Sequence, residues 1–104
     1  MNDRELLELA ARAAGHAIDR IDAMHDPEDW ACWNPLEDDG DALRLAVKLH
    51  LDISVDIDGA LVEMQMKDES AWVSEFAHDG DLYAATRRAI VRAAAVIAQQ
   101  DQPK

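Results

Sequence analysis

With one cysteine, Cys32, among 104 residues, the chain can form no internal disulfide. Its fold must rest on packing, and a lone thiol fits a reducing compartment. No apolar run approaches the roughly 18–20 residues that a membrane helix requires. The opening MNDRELLELA is charged and helical in pattern, unlike a secretory leader. A cytoplasmic protein without membrane contact is expected. Basic residues are scarce too: 10 Lys and Arg stand against 22 Asp and Glu, a formal net charge of −12. Direct binding of nucleic acid needs Lys and Arg to neutralise phosphates, so this balance argues against such a ligand. It suits a partner that is itself basic, whose approach it would steer. Colloidal solubility is the simpler explanation, and only the placement of the charges separates the two.

A chain of this length forms one domain, residues 1–104, with a single modest core. Leu6, Ala10, Ala13, Ala17, Ile21 and Met24 recur at three- and four-residue steps, predicting a helix over 2–24. Asn2 and Glu5 are spaced as a capping box, and Gly15 interrupts the helix interior. HDPEDWACWNPLEDDG, residues 25–40, breaks the periodicity and reads as a loop held down by Trp30 and Trp33. A second helix is expected over Asp39–His50, with Leu43, Ala46 and Leu49 inward and Leu45 a further candidate.

The period then changes. Leu51, Ile53, Val55 and Ile57 alternate with Asp52, Ser54, Asp56 and Asp58, the pattern of a half-buried strand. Asp58-Gly59 is a hairpin signal, leading to a return strand over Leu61–Lys67 and a third over Ala71–Phe76. In the third, Trp72, Ser74 and Phe76 share a face. A last helix runs from about Asp81 to Gln99, with Leu82, Ala85, Ala89, Ile90, Ala93, Val96 and Ile97 inward. The expected fold class is α+β: a small antiparallel β-sheet of about three strands packed against α-helices, in the order α-α-β-β-β-α. Asp39-Gly40-Asp41 and Asp79-Gly80-Asp81 each precede or open a helix, where acids accept from exposed N–H groups and oppose the dipole.

No catalytic constellation emerges, and the chain reads as a non-enzyme without cofactor or metal. With Gly59 aligned to the glycine of a calcium loop, Ser54, Asp56 and Asp58 fall on ligand positions. Gln65 then stands where a bidentate glutamate belongs. Cys32 with His25 or His78 lacks an orienting third group and reads as a packed thiol. His25-Asp26 and His78-Asp79 are too far apart in sequence to make a zinc signature. Arg87, Arg88 and Arg92 form one basic cluster, suited to pairing with nearby acids or, alternatively, to self-association.

The acids are unevenly spread. From Ile21 to Asp41 there are eight acids and no Lys or Arg; from Asp52 to Asp81 there are nine acids and only Lys67. Leu82–Lys104 holds four bases and one acid. On a strand, Asp52, Asp56 and Asp58 would share the outward face, where alternate positions lie about 6.6–6.8 Å apart. That is close to the separation of successive phosphates. Like charges so placed repel, and a row of them could occupy a basic groove on a nucleic-acid-binding protein. The candidate partner-binding residues are Glu28, Asp29, Glu37, Asp38, Asp39, Asp41, Asp52, Asp56 and Asp58.

WNPLEDDGDALRLAVKL and DLYAATRRAIVRAAA are similar to segments of a set of short bacteriophage and prophage proteins. The resemblance covers residues 33–50 and 82–95 well, 1–15 loosely and 51–81 least. It implies a phage or prophage setting in a bacterial cytoplasm and supplies no activity. By analogy of class, small acidic phage proteins without catalytic motifs include inhibitors of host defence, anti-CRISPR proteins and DNA mimics among them. The expectation is an inhibitor of a basic nucleic-acid-binding host protein. The alternative is a small accessory protein, a possible homo-oligomer, whose charge serves solubility or self-assembly.

Overall fold

The structure, a computed structural model, describes residues 1–15, 33–66 and 69–100. Glu28, Asp29, Trp30, Cys32, His16 and His25 lie outside the described residues, as does the expected helix beyond residue 15.

Helix α1 spans Asp3–Ala14 and starts with the capping box: Asn2 Oδ1 accepts from Glu5 N at 2.8 Å, and Glu5 accepts from Asn2 N. Gly15 does not interrupt this helix but closes it. It takes the left-handed conformation, φ 82°, and its N–H bonds back to Ala11 and Arg12 carbonyls. Helix α2 spans Asp39–Lys48 and is capped by Asp38, whose carboxylate accepts from Asp41 N at 2.7 Å. A Schellman motif ends it, with His50 N–H on Val47 O, Leu51 N–H on Ala46 O and His50 at φ 55°.

Three antiparallel strands follow: β1, Asp52–Val55; β2, Gly59–Gln65; and β3, Ser70–Phe76, in spatial order β1-β2-β3. A 3₁₀ turn at His78–Gly80 leads to helix α3, Leu82–Gln100, where Asp81 caps Ala84 N at 3.0 Å. The element order and the mixed architecture match the reading of the sequence.

Helix α3 packs against β2 and β3 on one side of the sheet, and α1 and α2 pack against α3. It is consequently buried nearly all round, through Ala85, Ala89, Val91, Ala93, Ala94, Ala95 and Ala98. Alanine at these positions lets neighbouring backbones approach closely. Val62, Met64 and Val73 supply the sheet's share of the core.

Two expectations about facing fail. Leu43 is 60% exposed, because the buried stripe of α2 is Ala42, Leu45 and Ala46, a phase set partly by small residues. Ile57 is 87% exposed, because β1 stops at Val55 and Ile57 belongs to the turn. The turn is centred on Ile57-Asp58 rather than on Asp58-Gly59: Asp56 N–H bonds to Gly59 O at 3.0 Å, and Val55 pairs with Ala60. Gly59 answers another demand. A Cβ there would sit 2.0 Å from the Glu75 carbonyl oxygen of β3.

Candidate protein-binding surface

The acids divide into those the fold uses and those it leaves outward. Asp41 is buried at the start of α2, accepting from Asn34 N at 2.9 Å and from Arg44 at 2.7 Å. Asp38 caps the same helix and lies 3.9 Å from Arg44. Asp39 pairs with Arg87 of α3 at 2.7 Å. The Arg87 guanidinium also donates to Leu36 O at 2.9 Å. One arginine thus joins the Trp-Asn-Pro-Leu segment, the first turn of α2 and the start of α3. Pro35 is fully buried, and Trp33 and Leu36 pack against the core. Glu37 is exposed and accepts from Asn34 Nδ2 at 3.4 Å.

The basic cluster is occupied in the same way. Arg88 pairs with Asp3 of α1 at 3.1 Å, and Arg92 pairs with Glu75 of β3 while donating to Ser74 O at 3.1 Å. Arg87, Arg88 and Arg92 therefore fasten α3 to α2, α1 and β3 in turn. Nearby acids of the same chain thus pair with all three members of the cluster.

The expected row of Asp52, Asp56 and Asp58 along one strand does not form. Asp56 closes the hairpin, its Oδ1 accepting from Asp58 N at 2.8 Å and Gly59 N at 3.1 Å. Asp58 lies in the turn. A different arrangement replaces the row. The helices cover one face of the sheet, and the opposite face carries Asp52 on β1, Leu61 and Glu63 on β2, and Trp72, Ser74 and Phe76 on β3. In the register Asp52 stands directly opposite Glu63, and Glu63 opposite Trp72. Hydrogen-bonded partners have Cα atoms about 5.5 Å apart, so two carboxylates face each other across the strands. Among the described residues neither has an ion pair with a Lys or Arg.

Beside them lie large apolar side chains that the fold leaves in solvent. Trp72 is 66% exposed and Phe76 74%, with Leu61 between them on the neighbouring strand. The surface is thus acidic toward β1 and aromatic toward β3. Glu63 and the outward turn of the aromatic pair were the parts missing from the sequence reading. The alternation Leu61, Glu63, Gln65 was the available signal, since it places Glu63 opposite the inward Val62 and Met64.

No group of three or more His, Cys, Asp or Glu is placed to hold a metal ion among the described residues. Among those residues, too, no helix is long and apolar enough to cross a membrane. No known family model matches the chain, and no curated protein or solved structure matches it.

Proposed function

We propose that the chain is a non-enzymatic, phage-derived binding protein that inhibits a basic, nucleic-acid-handling host protein through the uncovered face of its sheet. The observation that carries this reading is the Asp52–Glu63 pair, two like charges directly opposite in the register, with no ion pair to a Lys or Arg among the described residues. Like charges directly opposite on a sheet destabilise it. Lys and Arg from a partner would reverse the sign of that contribution. The neighbouring Trp72, Phe76 and Leu61 supply what charge alone does not. Aromatic side chains desolvated at the centre of an interface carry much of its affinity, with polar residues at the rim. The reading rests on charge and exposed aromatics, not on imitation of phosphate spacing. Interference with a defence complex, as anti-CRISPR proteins achieve, is one form such inhibition would take.

The test is affinity capture from bacterial lysate at low salt, comparing the natural protein with an Asp52→Lys/Glu63→Lys variant. The expected result is capture of nucleic-acid-binding proteins that duplex DNA or added salt releases, and loss of that capture in the variant. Partners held equally by both proteins would overturn the reading. The exposed Leu61, Trp72 and Phe76 favour a second reading, an oligomeric accessory protein in which another copy covers this face. Light scattering separates the two, because the binding reading expects a monomer in the absence of partner.

A further inference from the structure

Strand β1 ends the sheet, and nothing described hydrogen-bonds to its outer side. The bond from Asp56 N to Gly59 O fixes which residues face that side. Asp56, Ser54 and Asp52 direct their backbone groups toward β2, so by antiparallel alternation Ile53 and Val55 present N–H and C=O to the free edge. The opposite edge differs: there Arg92 donates to Ser74 O of β3. Protected edges usually carry Lys, Pro or a bulge, and β1 has only its shortness and its acids.

Below this free edge lies an open cleft of ≈ 500 Å³, lined by Leu43 of α2, Ile53 and Val55 of β1, and Leu82, Tyr83 and Ile90 of α3. Leu43, Val55 and Tyr83 are all exposed. The cleft occupies the place where the inward side chains of a fourth strand would fall. Its outward side chains would continue the face that bears Asp52 and Glu63.

We propose that β1 is an acceptor edge for strand addition, and that its occupant is an extended partner segment alternating apolar residues with Lys or Arg. This rests on the reading of the sheet face as a surface for basic partners, and it names the form the partner takes there. Apolar side chains would enter the cleft, basic ones would meet Asp52, and the main chain would bond to Ile53 and Val55. Main-chain bonding with alternate side chains in pockets is a general mode of strand recognition. A second copy is disfavoured at this edge. Two β1 strands paired side by side would bring the acids of each, Asp52 and Asp56, against those of the other.

The test uses fluorescein-labelled heptapeptides and fluorescence anisotropy at low salt. One peptide alternates Lys and Val, a second holds the same residues as a Lys block followed by a Val block, and a third is the alternating peptide N-methylated on its bonding edge. The alternating peptide is expected to bind about tenfold or more tightly than the other two, a loss of one or two hydrogen bonds being sufficient for that factor. On the protein side, Val55→Pro removes an edge N–H that β2 does not use, a position where proline is tolerated in strands. It should cut alternating-peptide binding by a similar factor while circular dichroism stays unchanged. The N-methylated peptide keeps the test decisive if that variant misfolds. Equal binding of all three peptides would overturn strand addition and leave the acidic surface standing. Failure of every basic peptide to bind would overturn both.

Discussion

Arg87 ties together three segments of the chain. Its side chain is largely buried and bonds at once to the Leu36 carbonyl and the Asp39 carboxylate. Replacing it with Ala leaves that carbonyl and that acid without their donor, a loss of about 2 kcal/mol for charge-assisted bonds. For a domain this small the melting temperature should fall by about 8–16 °C. Lysine, with no planar fork, should rescue little of it. Gly59→Ala should cost about 3 kcal/mol, because the added carbon meets backbone rather than a movable side chain. His50→Gly should do the opposite and stabilise by about 1 kcal/mol, since φ 55° carries strain for any residue with a Cβ. Denaturant titration of each variant reads all three signs. Of these positions Arg87 stood out in the sequence as part of a basic cluster, and Gly59 for another reason than the one the structure gives. The two-residue turn signal was present, but the contact that demands glycine comes from Glu75, sixteen residues on, which no local pattern records.

At the scale of elements, periodicity carried most of the information. The capping box at Asn2 and the alternation through Val62 and Met64 have strong local signals and appear as expected, whereas α3 is buried nearly all round rather than along the expected stripe. The α2 phase was missed because Ala42 and Ala46 bury deeply while adding little apolar area, so Leu43 outweighs them in a sequence pattern. The candidate site was legible in part. Asp52 was correctly placed outward, while Asp38, Asp39 and Asp41 belong to the cap and ion pairs of α2. The WNPLEDDGDALRLAVKL and DLYAATRRAIVRAAA segments are the two that Arg87 ties together, so those motifs describe how the chain folds. Cross-strand partners are invisible until register is known, which is why Glu63 escaped notice. Glu63→Lys tests the pair directly: it should stabilise the sheet by about 0.2–1 kcal/mol through Asp52. A destabilising outcome in thermal melts would mean the two carboxylates do not repel as their register implies.

Taken whole, the molecule is less unevenly charged than its sequence suggests. Arg44 pairs within α2, Arg87 and Arg88 join α3 to α2 and α1, and Arg92 joins α3 to β3, so several of the 22 acids are occupied in holding the fold together. Among the described residues Asp52, Glu63 and Asp58 lie outward on the open sheet face and the hairpin, while Glu37, Glu69 and Asp79 are exposed elsewhere. A basic partner meeting that face must displace counterions, and its affinity must then fall steeply with salt. The most direct measurement is the dissociation constant for the alternating Lys–Val peptide across a salt series, for the natural protein and for Asp52→Lys/Glu63→Lys. A steep loss of affinity with salt in the first and negligible binding at every salt in the second is the predicted result. Affinity that ignores salt, or survives the double reversal, would contradict it.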